Sequence, residues 1–381
     1  MIDSPPPPPA PPVLERPVAH QASYGLVSGR AARGAVRVLV RVDGRIVAER
    51  PLEGREFTVD VDLPPREVRV RVETVDAGGR RAGRTVRPVL GLPRAARPGN
   101  RSPRLDEPLQ RDLQRLVARF PGTAGVYVEH LGTGQAAAWN ARATFPGAST
   151  LKLAIAVTYL AQTKGPPRPG TRTDRLLRGM LVASDNAAAN TTLVALGGST
   201  SGGGRLVNAL MRSIGLERTE MYGGYVIGTS VEPADEATRE PAARGVPLSV
   251  VTQPAWGVGK ATTALDLARL HRAVWLASAG LGPLGRPRVG VDAGEARYLL
   301  YLLARVQSRS KLGRVTHGRP GVVVLHKAGW VDAARHDAGL VVWRGGIFVA
   351  AVMTHRGAGA GRRSDVLAGD VAGAALRRFR G

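Results

Sequence analysis

Over residues 35–42, 57–63 and 67–72 the hydrophobic positions recur at every second residue. In "AVRVLVRV" the alternation puts Val36, Val38, Val40 and Val42 on one face, Asp43-Gly44 is a hairpin turn, and "RIVAERPL" returns. "FTVDVDL" and "EVRVRVETV" repeat the pattern, and Gly78-Gly79 offers another turn. Short strands at turn-bounded spacing predict a small antiparallel β-sandwich over residues 16–93. Such a module binds or spaces more often than it catalyses, and it holds no evident catalytic cluster. Ahead of it, residues 1–15 are a proline tract that cannot build a core, so an extended tether is expected.

"RAARPGNRSPRLDEP", rich in Pro, Gly and Arg, reads as a linker over 94–107. Beyond it the period lengthens. "PLQRDLQRLVARF" carries Leu109, Leu113, Leu116 and Val117 at helical spacing, and "AGVYVEHL" with "QAAAWNA" forms a hairpin about Thr133-Gly134. "GASTLKLAIA" opens a helix, "GPPRPG" breaks it, and "TDRLLRGMLVASDNAAANTTLVAL" reads as largely helical up to Gly197-Gly198. "GGSTSGGG" lacks the lysine and strand context of a phosphate loop and reads as a flexible loop. Two more helices, three strand-like segments ("GVVVLHKAGW", "HDAGLVVWRG", "GIFVAAVMTH") and a helix from about Ser364 to Phe379 close the chain. That order suits an α+β domain over 108–381, in which one antiparallel sheet is completed by both ends.

With 381 residues, 43% of them hydrophobic, the chain can supply two cores. No apolar run reaches the roughly 20 residues of a membrane span, and "MIDSPPPPPAPP" has neither the basic nor the apolar region of a secretory signal. Either the protein stays inside or its true start lies upstream. The absence of cysteine removes disulfides, thiolate metal sites and a cysteine nucleophile. A formal charge of +24 raises nucleic acid as a partner, but the arginines are scattered singly and aromatics are only 4%, so no specific nucleic-acid role is expected. Attraction to an anionic cell-wall polymer fits the charge. The seven histidines show no HExxH spacing, and His326, His336 and His355 read as core or surface residues, so neither a metal nor another cofactor is expected.

The chemistry starts in "GASTLKLAIA". Lys152 lies three residues after Ser149, on the same helical face, so its amine can reach back to the serine oxygen. The field at the helix start favours the alkoxide, and a lysine discharged by burial accepts the proton. Ser-x-x-Lys alone is common. Here it is followed by Ser184-Asp185-Asn186 in "ASDNAAAN" and by Lys327-Ala328-Gly329 in "LHKAGW". In that order and context the region from about 106 to 381 resembles the class A β-lactamase-like serine hydrolases, which share these motifs with penicillin-binding proteins.

The resemblance implies a β-lactamase/transpeptidase-like fold and a serine that attacks β-lactams or acyl-D-Ala-D-Ala-type cell-wall peptides. Ser149 would form the acyl-enzyme, Lys152 would be its base and Ser184 would pass a proton to the leaving nitrogen. Asn186 would hold Lys152 and contact substrate amide, and Lys327 with Gly329 would line the carboxylate end. The backbone N–H groups of Ser149 and Trp330 would form the oxyanion hole. It also implies an extracytoplasmic location.

Three departures shape the expectation. Only 35 residues separate Ser149 from Ser184, so the helical lobe should be trimmed. Ala328 stands where the family carries a hydroxyl, a loss on the order of 1–3 kcal/mol if that hydrogen bond is charge-assisted. The family's Glu-x-x-Leu-Asn loop is missing, with Glu220 and Glu240 as the candidates for a deacylation base. Without one, the chemistry stops at a slow acyl-enzyme, as in a penicillin-binding peptidase. A non-catalytic cell-envelope binding protein is the competing reading.

Overall fold

The computed structural model describes residues 10–225, 245–256 and 259–381. The chain divides into two compact units, Met1–Arg97 and Pro98–Gly381. The first holds β1 (Val13–Arg16), β2 (Ala22–Ser23), β3 (Leu26–Arg30), β4 (Ala35–Val42), β5 (Arg45–Pro51), β6 (Glu56–Asp60), β7 (Glu67–Asp76) and β8 (Arg81–Gly91). They form two sheets, ordered β1-β3-β6 and β2-β8-β7-β4-β5. Val27, Phe57 and Val59 from the first sheet share one core with Val40, Val70 and Val72 from the second, which makes a sandwich. The Asp43-Gly44 turn has positive φ at both residues, 49° and 89°, as a tight hairpin between twisted strands requires.

Two expectations change here. The tether does not extend to residue 15, because Val13 and Leu14 pair with Arg30 and Gly29 as an edge strand; residues 1–9 lie outside the described residues. Nor does Val36 share the buried face of Val38, Val40 and Val42. The β4–β7 register shifts between Ala35 and Arg37, and the bulge leaves Val36 40% exposed.

The second unit holds β9 (Arg104–Leu105), α1 (Glu107–Ala118), β10 (Thr123–His130), β11 (Gln135–Trp139), β12 (Phe145–Pro146), α2 (Lys152–Ala161), α3 (Arg172–Leu181), α4 (Asn186–Gly197) and α5 (Thr200–Ser213). It continues with β13 (Ala261–Thr262), α6 (Ala264–Ala277), α7 (Ala293–Leu303), β14 (Val322–Val331), β15 (Ala334–Trp343), β16 (Gly346–His355) and α8 (Gly361–Arg380). The main sheet runs β14-β15-β16-β10-β11-β9, so strands from both ends of the unit complete it and β14 is left as an edge. Leu109 and Leu113 of α1 and Val371 and Leu376 of α8 close one face over Phe348 and Val352. This is the α+β arrangement expected from the element order. No helix among the described residues is long and apolar enough to cross a membrane.

The "GGSTSGGG" segment is not a flexible loop. Ser199 caps α5 by accepting the Gly202 N–H, and Gly202, Gly203 and Gly204 are buried helical residues. A Cβ on Gly203 would lie 2.2 Å from the Leu193 carbonyl oxygen, and one on Gly197 would lie 2.3 Å from the Gly202 carbonyl carbon. The glycines are spent on the close approach of α4 to α5, a helical use that breaker chemistry hides. Gly203→Ala is accordingly expected to cost about 1–3 kcal/mol through overpacking. A thermal melt checks this, and an unchanged midpoint would mean that the two helices part freely.

Candidate active site

Ser149 lies on a single 3-10 turn, Ala148–Leu151, that runs directly into α2. The entry to this turn is anchored on both sides. The Gly147 N–H donates to the Lys260 carbonyl at 2.6 Å, and His336 Nε2 donates to the Pro146 carbonyl at 2.7 Å. Burial pushes the His336 imidazole down to about 3. It is therefore neutral, and its Nδ1 is free to accept the Thr354 N–H at 3.2 Å. Ala148 has φ of 45°, a left-handed value that costs roughly 1–2 kcal/mol for an L-residue. Such strain persists where the surroundings over-determine the backbone, and it sits beside the serine.

The Lys152 side chain is fully buried. Its ammonium donates to the Ser184 carbonyl at 2.5 Å, to Asn186 Oδ1 at 2.6 Å and, more loosely, to Ser184 Oγ at 3.4 Å. Among the described residues no hydrogen bond joins it to the Ser149 hydroxyl. The helical reading of residues 173–196 breaks at this point, between α3 and α4. Ser184 has φ of 62°, Asp185 caps α4 by accepting the Ala187 N–H at 2.7 Å, and Asn186 is the first residue of that helix. The kink aims the Ser184 carbonyl and hydroxyl, with Asn186, at one amine.

Lys327 reaches the same hydroxyl from the other side. It is buried on β14 and donates to Ser184 Oγ at 2.9 Å and to the Ala328 carbonyl at 2.8 Å. Burial lowers Lys152 to about 8, against the opposing pull of Asp185. Burial, reinforced by the neighbouring Lys152 charge, lowers Lys327 to about 7. The two amines titrate as a pair: the first proton leaves near neutral pH, and its loss makes the second harder to remove. The singly protonated pair holds one neutral base and one cation.

Gly329 acts through its missing side chain. A Cβ there would fall 2.8 Å from both the Ser149 and Thr150 backbone nitrogens, so only glycine lets β14 lie against the serine turn. The next residue, Trp330, is 54% exposed, and its ring stacks with the Lys311 ammonium 5.2 Å from the centroid. Ala328 is buried and brings no hydroxyl to the strand.

Tyr225 was not anticipated from the sequence. Its ring lies 4.6 Å from the Lys152 ammonium and 5.0 Å from that of Lys260, and its hydroxyl donates to the Ala148 carbonyl at 3.2 Å. Burial pushes the phenol well above its ordinary range, so it stays protonated and cannot act as a base. The signal available was "MYGGY", two tyrosines in a chain poor in aromatics. A cavity of about 580 Å3 opens beside the serine turn, lined by Ala148, Tyr225, Trp256, Lys260, Val331 and His355 among others. Of the two candidate glutamates, only Glu220 falls among the described residues. The Glu220 carboxylate accepts the Tyr222 hydroxyl at 2.5 Å and makes no hydrogen bond to Lys152, Ser184 or Asn186 among the described residues, while Glu240 lies outside them.

The β-lactamase enzyme family model matches residues 108–166 and 163–379. The structure of a PBP-A point mutant, solved as an acyl-enzyme complex with penicillin G, superposes with a TM-score of 0.55 at 22% identity, covering 74% of this chain and 99% of that one. Unmodified PBP-A gives 0.54 at 23% identity, with 74% and 99% covered. A class A β-lactamase from Mycobacterium abscessus gives 0.51 at 19% identity, with 72% and 100% covered. No curated protein sequence matches the chain. At these identities the likeness concerns the fold, a β-lactamase/transpeptidase domain preceded by an additional β unit.

Proposed function

Because the chain belongs to the β-lactamase enzyme family, we propose that it works by acyl transfer, with Ser149 as the nucleophile toward β-lactams or D-Ala-D-Ala-type cell-wall peptides. The observation that carries this reading is the meeting of three sequence-distant motifs at one hydroxyl. Ser184 Oγ takes hydrogen bonds from both Lys152 and Lys327, two ammoniums stripped of water. Neutral Lys152 accepts the Ser149 proton as its oxygen attacks the carbonyl carbon. The N–H groups of Ser149 and Trp330 receive the developing oxyanion. As the C–N bond breaks, Ser184 gives its proton to the leaving nitrogen and regains one from the lysine pair. Charged Lys327 draws in the substrate carboxylate, whose presence keeps the pair's remaining proton on Lys327. Asn186 fixes Lys152. These substrates are met outside the cytoplasm, where the reading puts the protein.

The pH profile tests the paired lysines. Acylation is expected to rise as the first proton leaves, between about pH 7 and 8, and to fall at higher pH as the second ammonium discharges. Adduct formation with a fluorescent penicillin from pH 5 to 10 measures it. A rate that is flat or declines through pH 7–8 would rule out a lysine base.

Release is the slow step in this reading. The Tyr225 ring covers the Lys152 amine where a hydrolytic water would need a base, and no carboxylate replaces it among the described residues. The protein then resembles a penicillin-binding acyl-enzyme more than an efficient lactamase. Intact mass after mixing with penicillin should show a persistent single adduct, with little turnover of a chromogenic cephalosporin. Tyr225→Glu should shorten the adduct lifetime at least tenfold while Tyr225→Phe leaves it unchanged, and an unaltered lifetime in a normally acylating Tyr225→Glu would dismiss the roof. If no adduct forms with any acyl substrate, the non-catalytic binding reading takes over.

A further inference from the structure

The outer face of the β2-β8-β7-β4-β5 sheet carries arginines directly beside one another. Arg41 on β4 pairs with Arg71 on β7, and Arg71 pairs in turn with Thr85 on β8. Like charges facing across a ladder are destabilising unless something offsets them. One carboxylate does so: Glu73, only 8% exposed, accepts Arg41 Nε at 3.0 Å and Arg71 Nε at 2.8 Å. The bond from Arg71 holds the Glu73 carboxyl below its usual range in spite of burial. Gly83 makes room for the pair, because a Cβ there would lie 2.9 Å from Glu73 Cγ and 3.0 Å from an Arg71 terminal nitrogen. Two more guanidiniums join them, and the carboxylate nearby, that of Asp43, accepts the Arg69 backbone N–H at 2.8 Å and is paired with Arg66 at 2.6 Å. The ladder skips a residue so that Arg87 and Pro88 together oppose Arg69, and among the described residues neither the Arg69 nor the Arg87 side chain has a hydrogen bond or ion pair. Arg41, Arg69, Arg71, Arg87, Gly44 and Thr85 line a depression of about 350 Å3.

We propose that this depression binds a linear polyanion through its phosphodiester groups. With Asp43 matched by Arg66, the four lining guanidiniums face Glu73 alone and leave a positive surplus, and Glu73 holds two of the forks in fixed orientation before any ligand arrives. A phosphodiester carries its charge on two non-bridging oxygens that a guanidinium fork can grip in parallel, and successive groups along one chain reach successive forks. Tyr24 and Phe57 are the only Phe, Tyr or Trp in the first 97 residues, and none of the residues lining the depression is aromatic, so bases have no stacking platform within it. The partner is therefore read by charge spacing along a flexible chain.

The probe is end-labelled poly(glycerol phosphate), titrated with the full chain at several salt concentrations and followed by fluorescence anisotropy. Arg69→Gln with Arg87→Gln should weaken binding at least tenfold at low salt and lower the slope of log K against log salt by about 1.4, two charges at roughly 0.7 each. Both side chains are exposed, so the melting temperature should hold and report folding. Arg363→Gln with Arg380→Gln removes the same charge from α8 and should change binding less than twofold. Equal losses in the two double variants would reduce the effect to net charge and overturn the site. Equal affinity for poly-glutamate of matched charge overturns the phosphodiester assignment, and tighter binding of a single-stranded oligonucleotide overturns it in favour of nucleic acid. None of these outcomes bears on acylation of Ser149.

Discussion

Lys152→Met is expected to slow capture of penicillin by Ser149 about 10²- to 10⁴-fold, the range a positioned general base supplies. Methionine matches the lysine stem in length and apolar character, so the buried channel between Ser184 and Asn186 stays filled while the amine is lost. The substitution also removes a desolvated charge, so the fold should not suffer from the missing ammonium itself, although the Ser184 carbonyl and Asn186 Oδ1 lose their donor. The deficit should fall on the acylation rate constant and leave the saturation constant nearly unchanged, because the interaction is made in the transition state. Rapid-mixing measurements of adduct formation separate the two. Lys327→Met should do the reverse in part, raising the concentration needed for half-saturation by losing the carboxylate partner. Lys327→Arg keeps the cation and should remove the basic limb of the pH profile. If Lys152→Met acylates within tenfold of the parent, with Ser149→Ala inert as control, the base is another group.

Gly329→Ala is expected to reduce acylation about 10²- to 10³-fold, equivalent to losing one oxyanion donor. The added methyl would stand 2.8 Å from two backbone nitrogens of the serine turn, a separation that real Cβ atoms do not adopt. Neither neighbour can rotate aside, since both belong to the main chain, so β14 must move away from Ala148–Leu151. Because β14 is an edge strand whose only strand partner is β15, it can shift without unravelling the sheet. The damage should therefore be larger in rate than in stability, with a melting midpoint only slightly lowered. Equal acylation by the variant would show that the strand and the serine turn do not act together.

Local patterns carried much of this into the sequence. Alternation and an Asp-Gly turn predicted the sandwich, and the burial of Val38, Val40 and Val42 follows from a period of two. Val36 escaped because a bulge is a property of the pairing with β7. The glycines of α5 escape for a similar reason, since glycine usually signals a break and only the neighbouring α4 backbone turns it into a packing requirement. Ser149, Lys152, Ser184, Asn186 and Lys327 were picked out by motif, while the left-handed kink at Ser184 that aims the group at one amine left no mark on composition.

The order of elements, the position of the serine and its lysine, and the motif residues that meet them are determined by the sequence alone, because periodicity, turn chemistry and short spacings are local. Tertiary structure alone decided that Lys152 and Lys327 share one hydroxyl, that burial lowers the basicity of both, and that Tyr225 covers the first of them. Desolvation and like-charge repulsion are sums over residues far apart in the chain, here as much as 143 positions between Ser184 and Lys327. No window of sequence contains those sums until the chain has folded.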